Sequence, residues 1–172
     1  MDTFTQMTIL TGIVIIIVLY FRYLVFPLLK GAPFVPMSKS NLRMLVKLAD
    51  ITSEERVVDL GSGDGRVVME FAELGCKVDG FEINPLLVRS SRKKIKERGL
   101  EKTAVIFEKD FWDHDLSEYD IVVLFQVPYV LNKLEKKLKR ELKPGSKVLS
   151  YSFKFPNWEA VDSRKNIYLY RI

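Results

Sequence analysis

The stretch VVDLGSGDGR, residues 57–66, decides the fold of this chain. A short β-branched run is followed by three glycines at alternate positions, Gly61, Gly63 and Gly65, and then by an apolar helical pattern. Glycine allows a positive φ, and it lets a ligand approach main-chain N–H groups that a Cβ would screen. The stretch therefore predicts a strand, a tight turn and a helix start, the corner that forms the nucleotide site of a doubly wound sheet. A turn that merely connects a strand to a helix is the alternative.

Two carboxylates accompany the turn, Asp59 at the end of the strand and Asp64 between the glycines. The spacing is GxGxG, not the GxGxxG that is typical of dinucleotide-binding folds. A carboxylate beside a helix N-terminus competes with a diphosphate for the positive end of the helix dipole. The turn therefore favours a ligand with an ammonium and a sulfonium group. Here the chain resembles the class I, seven-strand methyltransferases, which bind S-adenosylmethionine.

Length, composition and cysteine content limit the architecture. A chain of 172 residues with 48% hydrophobic composition suits one domain plus a small appendage. The single cysteine, Cys76, excludes an internal disulfide framework and indicates a reducing compartment or no redox role. The net charge of +5 permits binding to nucleic acid or to an anionic membrane surface, or serves solubility alone.

Residues 8–29 form an apolar segment with one charge, Arg22. The segment has the roughly 20 residues that a helix needs to span a bilayer. Tyr20, Tyr23 and Phe26 gather towards one end, as an interfacial aromatic belt would. A cleaved signal peptide is disfavoured because no positive region precedes the apolar run and no small-residue cleavage site follows it. The other alternative, a buried core helix, would need a further domain to bury it.

These features divide the chain into three parts. We predict a transmembrane anchor over residues 1–30, a connector and pre-domain helix over residues 31–50, and a methyltransferase domain over residues 51–172. Only one charge, that of Asp2, precedes the span. The cations that follow are Arg22, Lys30, Lys39 and Arg43. The positive-inside rule therefore places the catalytic domain of this single-pass protein on the cytoplasmic or an equivalent side.

Strands and helices alternate along the chain, as a parallel sheet with crossover helices requires. We expect an α/β fold, a doubly wound, mostly parallel Rossmann-like methyltransferase sheet with an N-terminal transmembrane helix. A helix capped by Ser38 or Ser40 would bring Phe34 and Pro36 near the site, although a plain linker is the alternative. That helix is expected to continue to about Ala49. Further expected helices cover residues 67–74, 85–98 and 130–142, and expected strands cover residues 77–81, 104–108, 119–125, 147–153 and 166–171.

Acidic residues end the second and third expected strands. Glu82 comes 17 residues after Gly65, where an acid can accept both ribose hydroxyls, as in dinucleotide folds. In the methyltransferases that this chain resembles, an acid at the position of Asp110 takes the adenine amino group, and the next residue, Phe111, packs on the ring. The predicted cofactor site comprises Asp59, Gly61, Ser62, Gly63, Asp64, Gly65, Glu82, Asp110, Phe111 and Gln126.

The predicted acceptor side follows the fourth strand, at the sequence QVPY, residues 126–129. Amino-group methyltransferases often carry [DN]-P-P-[YF] there, a run that orients a planar amine. Gln126 and Val127 depart from that run, which argues against a nucleobase or a glutamine as the acceptor. We predict that Tyr129 and Phe34 are catalytic residues of the acceptor pocket; packing at the helix start is the alternative for Tyr129. Phe153 and Trp158 are expected to add further apolar walls.

Other charged residues suggest less specific roles. His114, the only histidine, lies in an acidic loop and is expected to be solvent-exposed, and no Cys/His cluster predicts a metal.

Basic runs occupy the expected helices at 85–98 and 130–142. They are solvated faces or, beside a membrane anchor, surfaces that attract anionic lipid. Nucleic acid ranks third because few aromatic residues interleave with the charges.

The chain as a whole resembles the small membrane-anchored protein-lysine N-methyltransferases of the ATP-synthase c-subunit and adenine nucleotide translocase type, with their prokaryotic relatives. The shared features include GAPFVP at 31–36, DLGSGDGR at 59–66 and SFKFPNW at 152–158. The resemblance implies an S-adenosylmethionine-dependent enzyme that methylates a lysine of an integral membrane protein near the bilayer surface. An RNA or small-molecule methyltransferase remains open, as do a non-catalytic membrane-tethered module that binds S-adenosylmethionine and a membrane-tethered interaction protein.

Overall fold

A single sheet lies at the centre of the computed structural model, which describes residues 2–21, 25 and 34–172. Its seven strands have the order β3-β2-β1-β4-β5-β7-β6. Strands β1 to β5 are parallel, and β7 is antiparallel to both β5 and β6. The expected α/β, mostly parallel Rossmann-like sheet is therefore confirmed. The strands are β1 (Arg56–Leu60), β2 (Lys77–Glu82), β3 (Ala104–Glu108), β4 (Ile121–Leu124), β5 (Lys147–Tyr151), β6 (Asp162–Arg164) and β7 (Ile167–Arg171).

Two helices of the domain begin at residues whose side chains cap them. Ser38, not Ser40, caps the helix after the connector by accepting the N–H of Asn41, and Asn84 caps a later helix that starts with proline. The helices are α1 (Thr3–Tyr20), α2 (Lys39–Ala49), α3 (Arg66–Glu73), α4 (Pro85–Glu97) and α5 (Pro128–Glu141), with a short 3-10 helix at Phe111–Asp113. Each matches an expected helix, except that the 3-10 helix was not expected and α1 begins before residue 8.

Helix α1 carries no charged residue and is strongly apolar from Ile13 to Leu19, and none of its residues is buried in the fold. It is long and apolar enough, by length and composition, to cross a membrane. The predicted span continued to residue 29, but residues 22–24 and 26–33 lie outside the described part of the chain. The predicted positions of Arg22, Tyr23, Phe26 and Lys30 therefore have no structural description.

Two hydrophobic layers cover the sheet. Helices α2, α3 and α4 pack on one face, where Leu45, Val68 and Phe71 are fully buried. Helix α5 and the 3-10 helix cover the other face, where Leu131 and Leu134 are fully buried. Burial of each such side chain stabilises the fold by roughly 1.5–3 kcal/mol.

The parallel strands β1 to β5 all finish at one end of the sheet, which we call the carboxyl edge. Leu60 at the end of β1 pairs with Phe81 of β2 and with Leu124 of β4, so the loops that follow these strands start side by side. Ligands of open α/β sheets bind in the crevice outside this edge. The fold therefore brings the predicted site residues to a single place.

Strand β5 is shorter and the last hairpin longer than expected. The expected strand continued to Phe153, but β5 ends at Tyr151 because Ser152 adopts a positive φ of 73°. The short edge strand β6 was not expected, and it pairs with β7 through a turn at Lys165. No helix lies between β5 and β7 within residues 152–166.

Candidate functional site

The glycine turn after β1 leaves no room for side chains at two of its positions. Gly61 and Gly63 have φ values of 89° and 55°. A Cβ on Gly61 would lie 2.7 Å from Nε2 of Gln126, and one on Gly63 would lie 2.6 Å from the ring of Phe34. Both positions therefore require glycine for conformation and for space. The contact also shows that Phe34 lies at the turn, as predicted.

The main-chain N–H groups of the turn already have partners inside the protein. Gly61 and Ser62 both donate to the carbonyl oxygen of Phe81, each at 2.9 Å. Gly63 donates to Oε2 of Glu82, also at 2.9 Å. A phosphate-binding turn presents such groups to its ligand. This turn directs them towards β2 instead, which agrees with the expectation that its ligand is not held by a diphosphate.

Glu82, the last residue of β2, is buried at the carboxyl edge. Its Oε2 accepts the N–H of Gly63, and its Oε1 accepts the N–H of Asn84 at 2.7 Å. These two bonds fix the orientation of the carboxylate. Each carboxylate oxygen can accept a second hydrogen bond, so the group fits the predicted contact with two ribose hydroxyls.

Asp59 is buried one residue before the end of β1. Burial, together with the negative charges of Glu82 and Asp64, raises the pKa of Asp59 to about 8. A cationic group bound nearby would favour the ionised carboxylate and lower that pKa. The two buried carboxylates at this corner, Asp59 and Glu82, therefore suit a cationic ligand such as S-adenosylmethionine, which carries ammonium and sulfonium groups.

Asp64 has a structural role that the sequence did not reveal. Arg66 donates to both carboxylate oxygens at 2.9 Å, and Nζ of Lys94 donates to Oδ2 at 2.9 Å. Burial raises the pKa of Asp64, but the hydrogen bonds and charges of Arg66 and Lys94 outweigh burial and lower it to about 2. Asp64 thus ties the turn to α3 and α4, and its carboxylate already has cationic partners.

Three further residues of the predicted cofactor site, Ser62, Asp110 and Phe111, make contacts within the protein. The Ser62 hydroxyl is buried and would lie 2.9 Å from a Cβ on Gly80, so it faces β2. Asp110 caps the 3-10 helix by accepting the N–H of Trp112. Phe111 is buried, with its ring centre 5.0 Å from that of Trp112. Asp110 and Phe111 follow β3, next to Glu82 at the end of β2.

Gln126 presents a buried polar atom without a partner. The side chain is 4% exposed, and its Nε2 donates to the carbonyl oxygen of Leu60 at 2.9 Å. Its Oε1 is buried and has no hydrogen-bond donor among the described residues. A buried acceptor left without a donor costs about 1–3 kcal/mol. A ligand N–H or O–H at the carboxyl edge would remove that cost.

The predicted acceptor residues divide into two groups. Phe34 and Tyr129 are 47% and 72% exposed, and Phe153 is also exposed. All three belong to segments at the carboxyl edge. Trp158 does not join them: its ring packs on Phe155 and Tyr170 on the α5 face. The expectation that Trp158 forms a wall of the acceptor pocket is therefore wrong, because the loop after β5 turns into the core.

His114 is partly buried, not solvent-exposed as expected. Its ring centre is 4.5 Å from that of Phe81, and its Nε2 lies 3.4 Å from the hydroxyl of Tyr119. Tyr119 in turn donates to Asp79, which also binds Arg56. His114 thus ends a chain of polar contacts that runs through Tyr119 and Asp79 to Arg56.

Comparison with known proteins agrees with this geometry. Residues 59–162 match a family described as the ANTKMT methyltransferase domain. A lysine N-methyltransferase of the ATP synthase c-subunit, from Homo sapiens, is 39% identical over 126 residues, which are 73% of this chain and 54% of that protein. A protein-lysine N-methyltransferase from Saccharolobus islandicus is 34% identical over 128 residues, which are 73% of this chain and 80% of that protein. The chain spans little more than half the length of its vertebrate relatives.

A solved structure supports the same assignment of fold and cofactor. A crystal structure described as an RNA methyltransferase from Salinibacter ruber, in complex with S-adenosyl-L-homocysteine, superposes with a TM-score of 0.78. It is 33% identical and covers 80% of this chain and 94% of that chain. With the family match, this similarity confirms the predicted methyltransferase fold and S-adenosylmethionine as the cofactor.

Proposed function

The chain belongs to the ANTKMT methyltransferase family, and from that premise we propose that it is a protein-lysine N-methyltransferase dependent on S-adenosylmethionine. The observation that carries the proposal is the cluster at the glycine turn. Two buried carboxylates, Asp59 and Glu82, have no cationic partner there among the described residues, while the turn's N–H groups point inward. Lysine methyltransferases among its relatives support the choice of acceptor.

The cofactor-binding residues have distinct proposed tasks. Glu82, oriented by the N–H groups of Gly63 and Asn84, binds the ribose hydroxyls. Asp59 balances the positive charge of the methionine end, and Asp110 takes the adenine amino group. The chemistry that the bound cofactor supplies is an electrophilic methyl group on a sulfonium. Because Gly61 and Gly63 have no Cβ, the side chains of Gln126 and Phe34 can pack directly on the turn.

The acceptor lysine must arrive as a neutral amine, aligned with the carbon–sulfur bond. Phe34, Tyr129 and Phe153 provide an apolar, partly desolvated entrance, which lowers the pKa of a lysine that enters it. Oε1 of Gln126 accepts an N–H of that amine and directs its lone pair. Because the transfer is a one-step displacement, such positioning and desolvation supply most of the rate.

Helix α1 tethers the enzyme to a membrane, and its target is an integral membrane protein. Residues 29–40 reach roughly 35–40 Å even if fully extended, so the target lysine lies at or just below the lipid headgroups. The cations after the span place the catalytic domain on the cytoplasmic or an equivalent side. Attraction of the basic surfaces to anionic lipid holds the domain in that pose.

The test is transfer of a radiolabelled methyl group from S-adenosylmethionine by the full-length chain in its native membranes. We expect label in protein that survives RNase and is lost with protease, and mass spectrometry should locate it on lysine. Glu82→Ala provides the inactive control, and Glu101→Ala, at an exposed turn, provides the matched active control. Label confined to small molecules would reject the proposal.

A second candidate function, RNA methylation, rests on one observation: the Salinibacter ruber protein, described as an RNA methyltransferase, aligns along 94% of its length. The departure of Gln126 and Val127 from the nucleobase-orienting run argues against it. Label that disappears with RNase and survives protease would select this function.

A further inference from the structure

A groove of about 910 Å³ lies between helix α2 and the strands β6 and β7. Its apolar lining includes Met44 and Leu48 of α2 and Leu169 of β7. The groove extends to Asp50, whose carbonyl oxygen accepts Nζ of Lys147 at the start of β5. The groove therefore lies on the face of the sheet that α2 covers, towards the amino ends of the parallel strands. It shares no lining residue with the glycine turn at the carboxyl edge.

Cations dominate the polar lining of this groove. Four basic and two acidic side chains line it, which gives a net charge of two positive. These side chains are Arg43, Lys47, Arg164, Arg171, Asp50 and Asp162. Two of the cations come from α2 at positions i and i+4, and two come from the facing strands. Positive charge thus borders the groove on both sides.

None of the four basic side chains, Arg43, Lys47, Arg164 and Arg171, makes an ion pair or a hydrogen bond within residues 2–21, 25 and 34–172. Other cations of the fold, such as Lys94 and Lys137, bind carboxylates of their own. Four unpaired cations around one groove repel each other, and an anionic ligand would relieve that repulsion.

We propose that this groove binds the headgroup of an anionic phospholipid. The phosphate lies between the cations of α2 and those of β6 and β7, and the glycerol and first acyl carbons cover Met44, Leu48 and Leu169. The proposal rests on the membrane attachment in the proposed function, and it names the surface that would meet the lipid. The basic helices α4 and α5 are not part of this surface.

Other occupants fit the groove less well. The chain's own segment 22–33 carries Arg22 and Lys30 and no acidic residue, so charge opposes its entry. A second copy of the chain would bring a protein of the same net charge, +5. An acidic peptide would pair with the cations but would leave the apolar lining without a matching partner. A phospholipid matches both the charge and the apolar surface.

The test titrates the full-length chain, in a nonionic detergent, with dioctanoyl phosphatidylglycerol and with dioctanoyl phosphatidylcholine. We expect the anionic lipid to bind at least about tenfold more tightly. Arg43→Gln with Lys47→Gln should weaken that binding by roughly 30-fold, since each cation near a lipid surface contributes about fivefold. The matched control is Lys77→Gln with Lys102→Gln, which removes two positive charges from exposed positions outside the groove and outside the basic helices α4 and α5, and which should change little.

Arg164→Gln with Arg171→Gln tests the strand side independently, and unchanged S-adenosylmethionine binding shows that each variant is folded. Equal affinity for the two lipids would overturn the proposal, as would phosphatidylglycerol affinity that survives both double variants. Binding of glycerol phosphate or of an acidic peptide as tightly as the lipid would also overturn the proposal. A dimer of the wild-type chain that the same double variants abolish would overturn it as well. Because no methyl transfer is measured, a failure of the proposed enzyme activity would leave this result intact.

Discussion

The ring of Phe34 lies over Gly63, so close that a Cβ on Gly63 would be 2.6 Å from the nearest ring carbon. Three residues later, the carbonyl oxygen of Met37 accepts Nη1 of Arg66, the residue that follows the glycine turn. Residues 34–37 therefore contact the cofactor corner at two points. Phe34 and Met37, which follow the apolar helix in the sequence, thus adjoin the cofactor corner.

Gly63→Ala should lower the affinity for S-adenosylmethionine about 100-fold or more, because the new Cβ meets the Phe34 ring and the φ of 55° strains alanine. Calorimetry on the detergent-solubilised chain measures the loss. Gly99→Ala is the matched control, since Gly99 also has a positive φ but has no atom near its Cβ position. Adding Phe34→Ala to Gly63→Ala should restore part of the thermal stability, and no recovery would contradict the proposed clash.

Glu82→Gln should weaken cofactor binding by roughly 10- to 100-fold, because it replaces charge-assisted hydrogen bonds with weaker neutral ones. Glu82→Ala should weaken binding further, since it also releases the N–H groups of Gly63 and Asn84. Isothermal titration measures both affinities, with Glu101→Gln as an exposed control. Wild-type affinity for the cofactor in both Glu82 variants would show that this carboxylate does not bind the cofactor.

Asp59 should make the cofactor-free protein less stable as the pH rises. Its pKa is about 8 in the folded chain against an ordinary value of 3.8, so the folded state holds a proton that the unfolded state has lost between those values. The free energy of unfolding therefore falls from about pH 4 to pH 8, by at most roughly 1.4 kcal/mol per pH unit from this group. Denaturant titrations of wild type and Asp59→Asn check this. An equal slope in both proteins would contradict the assignment.

Neighbouring lysines on α4 should behave differently. Lys94 binds Asp64 at 2.9 Å, whereas Lys93 is exposed and lies 3.7 Å from Glu97. Lys94→Glu should reduce cofactor affinity about tenfold or more, because it places a second negative charge beside Asp64 at the turn. Lys93→Glu should leave that affinity unchanged. Titration calorimetry compares the cofactor affinities of the two variants. Equal losses of affinity would show that the contact between Lys94 and Asp64 does not contribute to cofactor binding.

The contact between Lys94 and Asp64 also limits how charge on α4 can be tested. Charge reversal at Lys94 disturbs the cofactor corner, so it cannot separate lipid attraction from cofactor loss. Lys93 and Lys96 are the suitable positions on this helix, since both are exposed. If α4 approaches anionic lipid, reversal at these two positions should slow methyl transfer to membrane targets more than to soluble peptides.

The full-length chain should stay in the membrane pellet after high-salt and alkaline washes, because α1 is long and apolar enough to cross a membrane and is buried nowhere in the fold. Removing residues 1–29 should release the domain and slow transfer to the native target, since tethering raises the local concentration of enzyme. Fractionation followed by immunoblotting measures both effects. Release of the full-length chain by the washes would reject the spanning helix.

The sequence predicted the central corner well because its signals are local. A β-branched run, alternating glycines and an apolar helical pattern place β1, the turn and α3 within a residue or two of their observed limits. Asp59 and Glu82 then lie close together because the carboxyl ends of adjacent parallel strands meet at one end of the sheet, regardless of the conformation of the loops. Fold and cofactor chemistry both follow from these few residues.

The features that the sequence did not predict depend on distant contacts. Asp64 and Lys94 are 30 positions apart, so no local pattern links them. Strand β5 stops before Ser152, whose N–H donates to the carbonyl oxygen of Asn166 in the next hairpin. Strand β6 has three exposed residues and no apolar alternation, and it exists because β7 pairs with it. Trp158 was misplaced because the loop after β5 folds into the α5-side core.

Mass spectrometry of membrane-protein lysines, in cells with and without this gene, tests the central claim most directly. We predict that at least one lysine at or just below the lipid headgroups of an integral membrane protein carries methyl groups only when the gene is present. Restoring the gene should restore the modification, and restoring it with Glu82→Ala should not. Methylation that is identical in both cells, with gene-dependent label on RNA or on a soluble protein, would contradict the account.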